Sequence, residues 1–205
     1  MKTVLKSALV ATCLLGMAAP AAAQAPGLEL KLNPRVGLYV PLSDLGQATT
    51  TAGTIVADKS GSLAFGVGLE LGLIGLPFNV RANVDYKTGS EVSTEGVTET
   101  LEPKMLAIAG DLVFRPLPKL IIIQPYVFVG GGLRQYDFDT ENTQALEDAS
   151  DPTVHLGGGL DLTLGPLALN AEIGDYISWY EIQADADAEM QHDMFVSVGI
   201  VLGLL

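Results

Sequence analysis

The feature that most limits how this chain can fold is an apolar alternation with period two, repeated in eight segments. Side chains at i and i+2 share a face only in extended backbone, so the pattern specifies strands with one apolar and one polar face. In the first segment Leu28, Leu30, Leu32, Val36, Leu38, Val40 and Leu42 share a face. Glu29, Lys31, Asn33, Arg35, Gly37 and Tyr39 share the other. The second sets Leu63, Phe65, Val67, Leu69, Leu71 and Leu73 against Ser62, Ala64, Gly66, Gly68, Glu70 and Gly72. The third sets Phe78, Val80, Ala82, Val84 and Tyr86 against Asn79, Arg81, Asn83, Asp85 and Lys87. The fourth sets Leu106, Ile108, Leu112 and Phe114 against Ala107, Ala109, Asp111 and Arg115.

The fifth segment is the least regular, with Val127, Val129 and Leu133 opposite Tyr126, Phe128, Gly130, Gly132 and Arg134. The sixth places Val154, Leu156, Leu160, Leu162 and Leu164 opposite His155, Gly157, Gly159, Asp161 and Thr163. The seventh places Leu167, Leu169, Ala171 and Ile173 opposite Ala168, Asn170, Glu172 and Gly174. The last places Met194, Val196, Val198, Ile200, Leu202 and Leu204 opposite Phe195, Ser197, Gly199, Val201 and Gly203. Each segment predicts a strand of about 10 residues, the length that crosses a bilayer when tilted.

The connections alternate as well. Tight turns at Ile74–Pro77, Pro116–Lys119 and Gly165-Pro166 join segments two and three, four and five, six and seven. Polar loops of roughly 15 residues, long for a compact domain, make the other connections. Long loops at one end and tight turns with both termini at the other predict an all-β chain. The expected architecture is an eight-stranded antiparallel up-and-down transmembrane β-barrel.

The environment follows from which face is large. Eight strands enclose an interior barely wide enough for side chains. The apolar face carries mostly Leu, Val, Ile and Phe, and the polar face is rich in Gly, Ala and Ser. A large apolar exterior around a small polar interior suits lipid, and closure satisfies every backbone polar group within it. The alternative, a soluble lipocalin-like barrel around a greasy ligand, would have to bury the large-residue faces of all eight strands.

Residues 1–23 read as a secretory signal peptide: Lys2 and Lys6, an apolar run near Ala8–Met17, and Ala21-Ala22-Ala23 before Gln24. Residues 24–205 are then the barrel domain. Charged residues make up 17% of the chain against a usual share of about 25%. They are 11 basic and 24 acidic, net −13, and loss of the two leader lysines makes the mature chain −15. That balance, with no Lys/Arg cluster, excludes nucleic acid as a partner. The one cysteine, Cys13, lies in the leader and excludes a disulfide framework or a Cys-based metal site.

Three stretches carry a family resemblance: Val36-Gly37-Leu38-Tyr39-Val40-Pro41, Gln124–Gly132, and the terminal Val198–Leu205. With the leader, they make the chain similar to the small eight-stranded outer-membrane β-barrel family, which includes the OmpA transmembrane domain, OmpX, and the opacity- and OmpW-like porins. The resemblance implies the cell outer membrane of a Gram-negative-type envelope. It also implies partners in outer-membrane lipid, lipopolysaccharide and the assembly machinery, with Gly199, Leu202, Leu204 and Leu205 as the C-terminal assembly signal. The chain departs from the family in ending on Leu205 rather than Phe. Its aromatic girdle is also thin: Phe78 and Phe114 near the turns, Tyr86 and Trp179 near the loops.

Charges on the polar faces point inward, since an Arg or Lys facing lipid at midplane costs about 2–4 kcal/mol. Arg35, Glu70, Arg81, Asp111, Asp161 and Glu172 fall at mid-depth or in the turn-side half, where Arg can pair with carboxylates. A plugged lumen of ion pairs is the expected arrangement, with a polar gate as the competing one. Four acids against two Arg leave at least one carboxylate to be protonated or water-bonded. The inward glycines are expected to make room for bulky neighbours such as Tyr126, Phe128 and Phe195.

The loops carry 16 of the 24 acids, in four groups: Asp44 and Asp58; Glu91, Glu95, Glu99 and Glu102; Asp137, Asp139, Glu141, Glu147, Asp148 and Asp151; Glu181, Asp185, Asp187 and Glu189. Asp137-x-Asp139-x-Glu141 lacks the turn Gly and distal Glu of a calcium loop. A solvated rim is the plain reading, and weak divalent-cation binding stays open. No catalytic, cofactor or metal site is expected, because no phosphate loop, HExxH or CxxC motif occurs. His155 and His192 are both expected near the loop end, where a Ser–His–acid lipid hydrolase could be assembled with an acid such as Asp193, but no Ser stands at a motif spacing. The function expected is therefore a monomeric outer-membrane barrel with a structural or surface-interaction role. A narrow passive channel for small or hydrophobic solutes is the alternative, and a barrel lipid-modifying enzyme a more distant one.

Overall fold

A computed structural model describes residues 27–42, 47–50, 53–56, 61–73, 75–89, 103–117, 122–138, 150–164, 167–180 and 189–204. The predicted signal peptide, Leu205 and most of the loop acids lie outside these residues. The described strands are β1 (Leu28–Pro41), β2 (Gln47–Thr50), β3 (Gly53–Val56), β4 (Ser62–Leu73), β5 (Phe78–Lys87), β6 (Pro103–Phe114), β7 (Ile123–Phe138), β8 (Ser150–Leu164), β9 (Leu167–Tyr180) and β10 (Glu189–Gly203). Eight of them close a barrel in the order β1-β10-β9-β8-β7-β6-β5-β4, each antiparallel to its neighbours. This is the eight-stranded up-and-down barrel that the alternation predicts.

The pleat decides which way each side chain points, and every segment has the predicted parity. On β7, the irregular one, Val127, Val129 and Leu133 are exposed, and Tyr126, Phe128 and Arg134 are buried. The barrel is built inside out. Exposed large apolar residues run along its outer wall, including Leu38, Phe65, Val80, Ile108, Leu156, Ile173 and Val198. Buried charged and amide side chains fill its centre. Such a molecule is stable only where the outer wall meets hydrocarbon and closure leaves no open strand edge.

Two features exceed the sequence expectation. Residues 47–56 of the first loop contain the hairpin β2–β3, with Gln47 opposite Val56. In addition, β7 to β10 run for 14 to 16 residues, against 10 to 12 in β4 to β6. Antiparallel pairing continues beyond the bilayer wherever both strands have donors to offer. It therefore carries Asp137, Asp151 and Glu189, counted above with the loops, into β7, β8 and β10.

At the turn side, Gly75 takes a φ of +95°, a left-handed conformation that glycine adopts without a Cβ penalty. The Leu76 N–H donates to the Leu73 carbonyl across that turn at 3.1 Å. The barrel is sealed between its first and last strands. Leu32 faces Leu202, and Arg35 to Pro41 face Gly199 to Asp193 in continuous register. Pro34 has no N–H to offer at this seam. The Leu204 N–H donates to Leu30 O at 2.8 Å and ties the C-terminal end down.

Candidate functional site in the barrel lumen

The lumen is a set of ion pairs that reach across the wall. On the turn side, Arg115, the residue after β6, places Nη2 2.9 Å from Glu70 Oε2 on β4 and Nη1 2.7 Å from Asp161 Oδ2 on β8. Lys31 Nζ lies 3.7 Å from both Glu29 and Glu70, and Asn79 donates to Glu70. Asn170 donates to Asp161 and to the Tyr126 hydroxyl, both at 2.7 Å.

At mid-depth Arg81 bonds Glu172 and sets Nη2 3.0 Å from Asp111 Oδ2. Arg35 forks onto Asp85, with Nη2 2.9 Å and 2.8 Å from the two carboxylate oxygens, and ion-pairs with Glu172 at 3.4 Å. Tyr126 donates to Glu172 and Tyr176 to Asp85, each at 2.6 Å. His155 Nδ1 stands 2.8 Å from Asp111 Oδ1, and Asn83 donates to the same carboxylate. The Arg81 guanidinium also lies 4.3 Å from the centre of the Phe128 ring, in cation–π range. On the loop side Arg134 bonds Asp193 and lies 2.9 Å from Asp151 Oδ2, while Tyr39 donates to Asp193. Lys87 Nζ lies 4.5 Å from the centre of the Tyr39 ring.

All six residues expected in the lumen, Arg35, Glu70, Arg81, Asp111, Asp161 and Glu172, are buried inside the wall and bonded to one another or to further charges. The sequence reading missed Asp85, Arg115, Arg134, Lys87 and Asp193 as members. All five stood on polar faces or next to one, so inward parity alone could have found them. Together with Lys31 they change the charge count on the turn side, but not at mid-depth, where Asp85, Asp111 and Glu172 outnumber Arg35 and Arg81. Arg115 and Lys31 serve Glu70 and Asp161, so the turn-side carboxylates have cationic partners rather than a missing one.

The glycines act as predicted for two rings. A Cβ on Gly157 would fall 2.6 Å from Phe128 Cζ, and one on Gly159 would fall 2.4 Å from the Tyr126 hydroxyl. The aromatic side chains occupy the space the glycines leave.

His155 is not at the loop mouth. Its ring is buried and stacked on Tyr176 at 4.0 Å, because its strand begins several residues above it, at Ser150. His192 lies on the outer wall, 2.7 Å from Asp175 Oδ2. The pleat sets the two histidines on opposite faces of the sheet. Asp193, the acid weighed for a hydrolase site, is bonded to Arg134 and Tyr39. Among the described residues no group of three or more His, Cys, Asp or Glu is arranged to hold a metal.

The profile of the family described as outer membrane protein beta-barrel domain matches residues 9–199. No curated protein matches the sequence. Solved structures share the fold, two of them as follows. Neisserial surface protein A aligns with 86% of this chain and 96% of its own at 12% identity and a TM-score of 0.52. A major outer membrane protein from Thermus thermophilus aligns with 86% of this chain and 98% of its own at 12% identity and a TM-score of 0.50.

Proposed function

This chain belongs to the outer membrane protein β-barrel family and resides in the outer membrane, and we propose that it serves there as a closed structural or surface-interacting barrel rather than as an open porin. The observation that carries this reading is the set of ion pairs that crosses the lumen from wall to wall. Arg81 at mid-depth and Arg134 and Lys87 on the loop side are at most 2% exposed. Each lies against a carboxylate or a ring. In this reading the paired side chains fill the bore and leave no wide, water-filled path of the kind an open porin has.

In this reading residues 1–23 are removed, 24–205 form the barrel, and Gly199, Leu202, Leu204 and Leu205 present the assembly signal. The partners are outer-membrane lipid, lipopolysaccharide and the assembly machinery, and the barrel is a monomer with no catalytic role. Planar-bilayer recording of the purified full chain is the direct test. A silent baseline is expected, and stable porin-like steps would overturn the reading.

A second reading, passage of a hydrophobic solute, draws on an apolar groove of about 810 Å³ in the outer wall, lined by Pro34, Leu160, Leu169, Ala171, Val198 and Ile200 among others. Uptake of an alkane by liposomes carrying the protein, compared with empty liposomes, tests it; equal rates retire it.

A further inference from the structure

The ion pairs are not spread evenly through the lumen. Between the mid-depth cluster and the loop-side cluster lies a layer of rings. Tyr39 and Phe195 are opposite one another in the β1–β10 ladder, with ring centroids 5.4 Å apart and planes at 65°. Phe195 meets Tyr176 at 5.6 Å and 82°, and Tyr176 stacks on its cross-strand partner His155 at 4.0 Å and 6°. Ala64, Ala107 and Ala109, all buried, face inward from β4 and β6.

The polar tips of these rings are held away from the layer. Tyr39 turns its hydroxyl to Asp193 on the loop side. Tyr176 gives its hydroxyl to Asp85, and His155 turns Nδ1 to Asp111; both carboxylates belong to the mid-depth cluster. What lies between the clusters is chiefly ring and methyl carbon, with the Lys87 ammonium against the Tyr39 ring at 4.5 Å and the His155 Nε2 beside Gly174; Phe195 bridges the two tyrosines and contributes no polar atom. A hydrated ion can exchange water for the charged groups above and below, whereas an apolar constriction offers it nothing in return and closes by dewetting.

We propose that the permeability barrier of this barrel is the aromatic layer centred on Phe195, and that the ion-pair clusters brace the wall on either side of it. The inference rests on the closed-lumen reading. It is tested by planar-bilayer recording in KCl of the wild-type full chain, Phe195→Cys in a Cys13→Ser background, and Phe195→Leu. Folding of each is checked first by heat-modifiable migration on SDS gels. The wild type and Phe195→Leu are expected to be silent. Phe195→Cys is expected to conduct and to fall silent again when benzyl methanethiosulfonate restores a ring at that position. Phe195→Ala supplies the same opening if the thiol variant does not fold. Folded Phe195→Cys or Phe195→Ala that stays as tight as the wild type overturns the aromatic barrier while leaving the closed lumen intact. Steps in the wild type overturn the closed lumen itself.

Discussion

Arg81 on β5 bonds Glu172 on β9, although the two strands are four apart in either direction round the eight-stranded wall. The pair therefore spans the full diameter of the lumen. Glu172 also receives Arg35 from β1 and the Tyr126 hydroxyl from β7, so one carboxylate collects contacts from three other strands. No local sequence relationship encodes such a contact, because it exists only once the barrel has closed.

Removing that carboxylate leaves two guanidinium groups under-compensated. Glu172→Ala is expected to lower stability by about 3–5 kcal/mol, as breaking a buried pair does. Glu172→Gln, which can still accept from Tyr126, is expected to lose less. Urea titration in detergent, followed by fluorescence of the one tryptophan, Trp179, measures both. Equal midpoints for the wild type and Glu172→Ala would show that the pair is energetically idle.

The two faces of the wall respond differently to the same added methyl group. A Cβ on Gly157 meets Ile173 O at 2.2 Å and Phe128 Cζ at 2.6 Å, and neither can move without shifting a strand or a packed ring. Gly157→Ala is expected to cost about 1–3 kcal/mol by overpacking. Gly110 faces outward with nothing within 4 Å of the same position, and Gly110→Ala is expected to fall within about 0.5 kcal/mol of wild type. The same urea titration compares them.

Charge on the outer wall tests the lipid environment. Val129 is 55% exposed and sits between Leu112 and Leu156 in the ladder, midway along the strands. Val129→Arg is expected to destabilise the barrel by about 2–4 kcal/mol in phospholipid vesicles, the cost of a cation near the bilayer midplane. A change under about 0.5 kcal/mol would place this face in water.

Processing and assembly give a prediction that needs no purified fold. The mature protein from outer-membrane fractions is expected to begin at Gln24, as read by intact mass. Leu204→Asp is expected to reduce the heat-modifiable fraction, because it puts a carboxylate on the apolar face that Leu204, 48% exposed, continues at the end of the closing strand. A mature mass that includes residues 1–23, or undiminished assembly of Leu204→Asp, would contradict these assignments.

The alternation made strand number, parity and closure legible in the sequence, down to the irregular β7. It did so because lipid and lumen act on every residue of every crossing, so each position carries the signal. Strand ends were less legible. Pairing above the bilayer obeys backbone hydrogen bonding rather than the lipid boundary, so Asp151, a loop residue by its polar surroundings in the sequence, lies in β8 and pairs with Arg134 on the adjacent strand. The inward position of Arg35, Glu70, Arg81, Asp111, Asp161 and Glu172 also followed from parity.

The sequence by itself determined which way each side chain points, because the pleat has a period of two and needs no knowledge of neighbours. Only the tertiary structure decided who meets whom. Closure with a stagger between strands brings Arg81 to Glu172, Arg115 to Glu70 and Asp161, and Tyr39, Phe195, Tyr176 and His155 into one layer. Those meetings depend on the tilt and register of the whole barrel, quantities to which every strand contributes and which no single segment specifies.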